Sequence, residues 1–383
     1  MAKVLLVDTN FSSLPIYKEL KNLGHEVHVV GGNPSDCLAK ISKKYTQINY
    51  ADTNALKKFV ENEKFDFLVP GCTDRSYTSC AVVSNGKFPG IESQHTDEMI
   101  NNKAKFRDFA TKHRLPIPRI QRVEQQGFQF PLIVKPVDSF SGKGISVITY
   151  PDQIKLKHGI ELAKEASAKK EYLIEDFVEG TLHSHSAFID NGKVIMDFVV
   201  DEFCNINPFV VDTSQVSQVV TSAVLADLRQ CIELISNELQ LQNGLIHTQF
   251  KLNGDRIWLI EITRRCPGDL YSQLIELSTG ESYVQAYIAP FLGKPILKSA
   301  RPASSRHIMR HTITVNQEQT FGHITFDHAV KIERWISLSI TGDQLKPSPA
   351  SRVGILFAEA KTNEELNKLI EKTSKRMLYQ LNP

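Results

Sequence analysis

The sequence predicts an α/β segment followed by α+β segments, and three features carry that expectation. Apolar strand runs alternate with helical spacing at the N-terminus, prolines interrupt the chain near residue 115, and paired strand runs flank tight-turn dipeptides further on. In order, the opening reads as a strand over 4–7, a helix over about 12–23, a strand over 27–30, a helix after Asp52 and a strand over 65–69. Parallel strands follow from this alternation, and ligands gather at their carboxyl ends. The loops there are Asp8-Thr9-Asn10, Gly31-Gly32-Asn33 and Gly71-Cys72-Thr73-Asp74. No G-x-G-x-x-G follows the first strand, so NAD is not expected.

Beyond this unit a helix is expected over about 96–111, ended by Leu115-Pro116-Ile117-Pro118, whose prolines break helix and read as a linker. A hairpin of runs 131–136 and 145–149, a helix around 161–169 and a strand over 172–177 make a small α+β unit. Runs 184–189 and 194–200 flank Asn191-Gly192, a pair favoured in hairpin turns. Apolar Val224, Leu225, Leu228, Ile232, Ile235 and Leu239 have helical spacing, and runs 245–252 and 256–262 pair across Asn253-Gly254-Asp255. The tail after Pro302 reads as further strands, and its final helix opens on the capping-box pattern Thr362-Asn363-Glu364-Glu365.

A chain of 383 residues exceeds one ordinary core and suits two or three domains. Its apolar fraction of 41% and charged fraction of 23% argue for folding rather than disorder. Net charge is +2 with dispersed basic residues, so no nucleic acid is expected as a partner. The N-terminal apolar run is too short for a signal peptide or a membrane span, and a cytoplasmic protein is expected. Cys37, Cys72, Cys80, Cys204, Cys231 and Cys266 lack Cys-x-x-Cys spacing and read as free thiols.

Three places carry chemistry. Ser139-Phe140-Ser141-Gly142-Lys143-Gly144 joins two strands, and its backbone amides can turn toward an anion; it is not a P-loop, and alone it reads equally as a plain turn. Lys135 ends an apolar strand, where its charge needs a partner such as phosphate or else reaches solvent. Gln249 and Glu261 lie on strands joined by a tight turn and can face one side, which suits Mg²⁺ held by a carboxylate, an amide oxygen and phosphates. Thr263 and Arg265 reach the same mouth, although an exposed ion pair of Glu261 with Arg264 or Arg265 fits the spacing too. His183 and His185 alternate on one strand, and without a third ligand they do not make a zinc site.

Taken in sequence, these pieces resemble the ATP-grasp superfamily along nearly the whole chain. Asn102-Lys103 with Arg107 resembles the helix that supplies the family's first ATP-contacting cation, at Lys103. The stretch 131–144 resembles its second lysine, Lys135, and its glycine-rich lid, with Ser139, Ser141, Gly142, Lys143 and Gly144 on the phosphates. Leu173-Ile174-Glu175-Asp176-Phe177-Val178-Glu179-Gly180 is similar to the hinge, which implies Glu175, Asp176 and the Phe177 to Val178 backbone at the adenine. His247-Thr248-Gln249-Phe250-Lys251 with Leu259-Ile260-Glu261-Ile262-Thr263-Arg264-Arg265 resembles the metal-binding strands, which implies Gln249, Glu261 and Thr263 as ligands and Arg265 with Lys135 in catalysis. Arg352-Val353-Gly354-Ile355 is similar to the closing segment of biotin-carboxylase-like members.

There are three departures. Leu182 stands where the family places an acid for the ribose, with His183 as the implied substitute; Gln249 stands for the commoner Glu; Thr263 stands for Asn. The resemblance implies an α/β pre-ATP-grasp, Rossmann-like domain (1–95), a helical linker (96–125), a small lid subdomain (126–182), a larger antiparallel catalytic subdomain (183–300) and a closing subdomain (301–383). It further implies ATP with Mg²⁺ or Mn²⁺, a carboxylic acid and an amine as small-molecule substrates, and a homodimer. An acyl phosphate would form and pass to the amine. Carboxylation through carboxyphosphate and an ATP-binding regulatory module without turnover are the competing readings. Arg306, His307, Arg310 and His311 either contact an acidic substrate or lie solvated on an edge strand.

Overall fold

The computed structural model describes residues 1–122, 127–139, 142–298 and 305–382. The N-terminal elements are β1 (Lys3–Val7), α1 (Leu14–Asn22), β2 (Glu26–Gly31), α2 (Cys37–Ile41), β3 (Tyr45–Gln47), α3 (Thr53–Glu63), β4 (Phe67–Pro70) and α4 (Asp74–Ser84). The four strands form a parallel sheet ordered β3-β2-β1-β4. Val4, Leu5, Leu6 and Val7 are all fully buried, as a central strand covered on both faces requires. Asp8, just past β1, accepts from Ser13 Oγ at 2.7 Å and from Cys72 N at 3.2 Å, which binds the loops after β1 and β4 to each other.

The expected helix over 96–111 is two helices, α5 (Gln94–Asn101) and α6 (Lys103–Lys112). Asn102 is extended, and its side chain accepts from Ala104 N and Lys105 N, so an N-cap replaces a helical turn. Lys103 thereby becomes the first residue of α6, and its backbone N–H donates to Val137 O at 3.0 Å.

The small unit holds β5 (Leu132–Pro136), β6 (Ser146–Ile148), α7 (Gln153–Ala166) and β7 (Tyr172–Asp176), with an antiparallel sheet ordered β6-β5-β7. Leu132, Val134, Ile148, Ala163 and Ile174 form its core. The helix begins well before the expected residue 161, because Asp152 caps it through Lys155 N.

The remaining elements are β8 (Thr181–Asp190), β9 (Lys193–Phe203), β10 (Thr213–Val216), α8 (Ser222–Glu238), β11 (Gly244–Asn253), β12 (Arg256–Thr263), α9 (Tyr271–Thr279), α10 (Tyr283–Ile288), β13 (His307–Ile313), β14 (Gln319–Thr320), β15 (His323–Phe326), β16 (Lys331–Ser337), β17 (Gln344–Leu345), β18 (Gly354–Ala360), α11 (Asn363–Ser374) and β19 (Tyr379–Asn382). Eight of the strands form one sheet ordered β12-β11-β8-β9-β10-β13-β18-β16. Strands from the segments expected over 183–300 and 301–383 are therefore neighbours in one sheet. Strand β13 lies inside it between β10 and β18, which corrects the expectation of an edge strand for His307, Arg310 and His311. The N-terminal sheet shares a core with α9, α10 and the turn after α10 through Tyr271, Tyr283, Tyr287 and Phe291, and Tyr287 Oη donates to Pro70 O at 3.1 Å.

Candidate active site

Three elements meet at Lys103. Its Nζ pairs with Glu261 Oε1 at 2.7 Å and donates to Ser139 O at 3.0 Å, so helix α6, strand β12 and the start of the glycine-rich loop share one cation. Glu261 keeps 42% of its side-chain surface exposed. Gln249 is its direct cross-strand partner, and directly opposed residues of an antiparallel pair point to the same face. The expected face-sharing of Gln249 and Glu261 is thus present, and Gln249 Nε2 donates to Glu202 Oε2 at 2.8 Å.

A second cluster lies just behind. Lys135 Nζ and Arg107 Nε both bond the carboxylate of Glu175, and Arg107 Nη2 donates to Ile260 O at 2.7 Å. All three are buried, at 5%, 0% and 1% exposure for Lys135, Arg107 and Glu175. Burial pushes the Lys135 ammonium down to about 8, against the opposing pull of Glu175. For Glu175 burial acts upward, yet Lys135 and Arg107 outweigh it and hold the carboxyl below its ordinary value. The Glu175 carboxylate, expected at the adenine, is therefore a counter-ion facing inward. Phe177 N–H is engaged as well, donating to Pro131 O at 3.0 Å, and Asp176 accepts from Arg119 and Gln121.

At the end of β12, Thr263 Oγ1 donates to Asp74 Oδ1 at 3.0 Å. Arg265 grips the same carboxylate with Nε at 2.8 Å and Nη2 at 3.1 Å. Burial works upward on Asp74, but Arg265 and then Thr263 bring its pKa below the ordinary value. The exposed pairing of Glu261 with Arg264 or Arg265 does not form. Arg264 is buried instead, with Nη2 at 3.1 Å from Glu92 Oε1 and 2.6 Å from Gln242 O.

Gly142 and Gly144 have φ of +70° and +74°, the left-handed region open to glycine. A Cβ at Gly142 would lie 2.7 Å from Phe209 Cβ, and one at Gly144 would lie 2.5 Å from Ala166 Cβ. The loop thus lies against the β9–β10 connection on one side and α7 on the other. Lys143 lies between these glycines, while Ser141 is outside the described residues.

His183, expected at the ribose, is buried with both ring nitrogens engaged, Nδ1 with Asp201 Oδ1 at 2.9 Å and Nε2 with Thr181 Oγ1 at 2.7 Å. Its ring also stacks on Phe250. A ribose contact through a ring nitrogen of His183 would have to displace Asp201 or Thr181. His185 bonds Asp197, and no cluster of three or more His, Cys, Asp or Glu side chains fit for a metal occurs among the described residues.

Sequence reasoning passed over several polar groups that the sheet gathers. Glu202 is buried, and burial, with help from Asp269, pushes its carboxyl up to about 7. Arg310 is fully buried, with Nη2 at 3.0 Å from Asp269 Oδ2. Burial and then Arg310 lower the pKa of Arg352, against Asp269. His311 is engaged internally with Thr213 and Tyr379, and Arg306 pairs with Glu333 and Glu359. Of the four candidates for an acidic substrate, only Arg310 therefore sits deep in the sheet beside a partly exposed carboxylate.

The family model described as the ATP-grasp domain matches residues 128–273. The chain is 25% identical over 295 residues to phosphoribosylamine–glycine ligase of Pyrococcus furiosus, covering 69% of this chain and 66%, just under two thirds, of that relative. Its fold is similar to L-amino acid ligase from Bacillus licheniformis, with TM-score 0.80, 16% identity and coverage of 100% of this chain and 98% of that one. It is also similar to the biotin carboxylase domain dimer of Hydrogenobacter thermophilus 2-oxoglutarate carboxylase, in complex with MgADP and bicarbonate, with TM-score 0.77, 14% identity and coverage of 100% and 90%.

Proposed function

From the match of residues 128–273 to the ATP-grasp domain, we propose that this chain is an ATP-dependent, ADP-forming ligase of the ATP-grasp superfamily. It activates a carboxylate as an acyl phosphate and couples it to an amine, releasing phosphate. The observation that carries this reading is the meeting at Lys103 of the loop carbonyl of Ser139 and the carboxylate of Glu261.

The residues present fit the nucleotide and its cation. Glu261 is half exposed, and the Gln249 amide spends its nitrogen on Glu202, which leaves its oxygen for a hard cation; Thr263 lies two residues further along β12, opposite His247. Glu261 and Gln249 would hold Mg²⁺, or Mn²⁺ with the same oxygen set, and the ion when bound supplies positive charge at the transferred phosphoryl group. Lys103 and Lys135 each have a carboxylate as resting partner and would exchange it for phosphate oxygens. Arg265, held as a planar fork by Asp74, would face the oxyanion that develops when the amine attacks. Closing of the loop over 139–144 would exclude water from the acyl phosphate. The hinge Asp176-Phe177-Val178 remains our assignment for the adenine edge. Arg310, paired with Asp269, would contact the acidic substrate. Pairing with a second copy belongs to the same reading and is supported by the dimeric carboxylase neighbour.

A competing reading, carboxylation through carboxyphosphate, draws on Gln249 and on the bicarbonate-bound neighbour. One experiment separates them. Purified protein with Mg²⁺ and ATP is offered pooled carboxylic acids, pooled amines or bicarbonate while ADP, phosphate and product mass are followed. The ligase reading expects ADP release that needs one acid pool and one amine pool, with a product of their condensed mass. Bicarbonate-stimulated ADP release without any organic acid would favour the carboxylase, and ATP bound without turnover would overturn both.

A further inference from the structure

The sheet places beside the cation site one polar side chain, Glu202, whose bond to the Gln249 nitrogen was noted above without a role for Glu202 itself. Gln249 pairs across β11 and β8 with Ser184, and Leu182, two residues away on the same face of β8, pairs with Glu202 on β9. Glu202 therefore shares a face with Gln249 and Glu261, and its Oε2 accepts from Gln249 Nε2 at 2.8 Å. It is only 8% exposed. The carboxamide of Gln249 has two ends of similar shape and opposite polarity, and only its oxygen can hold a cation. With the oxygen turned to Glu202 in its ionised form, two acceptors would face each other in a buried site, which is strongly unfavourable. With the nitrogen turned to Glu202, the oxygen is left for the Glu261 side.

We propose that Glu202 is a positioning residue, whose carboxylate fixes the orientation of the Gln249 amide so that its oxygen joins Glu261 in holding the divalent cation. The inference rests on the ATP-ligase reading. A residue that orients a metal ligand typically contributes 10- to 100-fold in metal affinity.

Mn²⁺ binding followed by electron paramagnetic resonance, in the presence of a non-hydrolysable ATP analogue, tests it. Glu202→Ala is expected to weaken Mn²⁺ binding roughly 10- to 100-fold while the affinity for the analogue without divalent metal is unchanged. Glu202→Gln, whose amide can either accept from the Gln249 nitrogen or donate to its oxygen, no longer imposes the orientation and should bind Mn²⁺ more weakly than wild type. The double variant Glu202→Ala with Gln249→Glu should recover Mn²⁺ binding, because a carboxylate has no wrong end. Equal Mn²⁺ affinity in wild type and Glu202→Ala would overturn the inference alone. So would wild-type Mn²⁺ affinity in Glu202→Gln, since an amide at 202 imposes no orientation, or loss of metal-free analogue binding in Glu202→Ala, which would assign Glu202 to the fold. A wild type that binds no Mn²⁺ with the analogue would overturn the ligase reading and this inference with it.

Discussion

Glu175 holds two buried cations, Lys135 and Arg107, and removing its charge leaves both without a counter-ion. Breaking a buried ion pair from one side typically costs about 3–5 kcal/mol. Glu175→Gln is therefore expected to lower the melting temperature markedly, although Lys135, with its ammonium pushed down to about 8, can shed its proton and relieve part of the penalty. Bound triphosphate supplies the missing negative charge, so ATP should raise the melting temperature of Glu175→Gln by more than that of wild type. An equal ATP shift in both proteins, read by calorimetry, would separate Lys135 from the nucleotide. At the other end of the site, Arg265→Lys keeps the charge but loses the two-pronged grip on Asp74. A fall of roughly 10²- to 10³-fold in kcat is expected from losing one preorganised donor, with thermal unfolding nearly unchanged. Full turnover in Arg265→Lys would remove the oxyanion role.

Gly142 and Gly144 show what an element demands beyond its residues. Both adopt positive φ, and Gly142 lies where a Cβ would press on Phe209. Gly142→Ala should hold the loop away from the β9–β10 connection and raise the fraction of ATP hydrolysed without product, measured as the ratio of ADP to condensed product. Helix α5 offers a second test, because Asp97 is buried against α4 and its carboxyl is pushed up to about 7, first by burial and then by Asp74. Its folded pKa lies above the unfolded value, so the folded state binds more protons between about pH 4 and 7 and stability falls as pH rises through that window. Asp97→Asn preserves an acceptor for Asn101 and should flatten that decline, raising the melting temperature at pH 8 but not at pH 4. The hairpin of β11 and β12 was legible because Asn253-Gly254-Asp255 fixes its register, and with it the pairing of Gln249 with Glu261. The break between α5 and α6 was not, since Asn102 reads as an ordinary polar helix residue until its side chain is seen capping α6. Glu202 escaped notice because its link to Gln249 runs across β8, a non-local neighbour that no spacing in the chain encodes.

At the scale of the whole molecule, strand β12 and the residues just after it are tied to the N-terminal α/β segment. Asp74, the first residue of α4, receives Thr263 and Arg265, and Glu92 receives Arg264 and the backbone of Gln242. The motif Gly71-Cys72-Thr73-Asp74 reads locally as a strand-end loop; only the packing of β4 on α10 and its flanking turn brings it to the end of β12. Asp74 thus sets the aim of Arg265 from another segment, and an aim displaced by about 1 Å can cost about 10²-fold in rate. Asp74→Ala should accordingly lower kcat by about that factor while nucleotide affinity, which we assign to Lys103 and Lys135, stays unchanged. Asp74→Asn keeps one acceptor for Arg265 and should fall between the two. Isothermal titration with a non-hydrolysable ATP analogue, beside steady-state product formation, separates the effects, because loss of nucleotide binding together with turnover would show that Asp74 holds the two segments together rather than orienting Arg265.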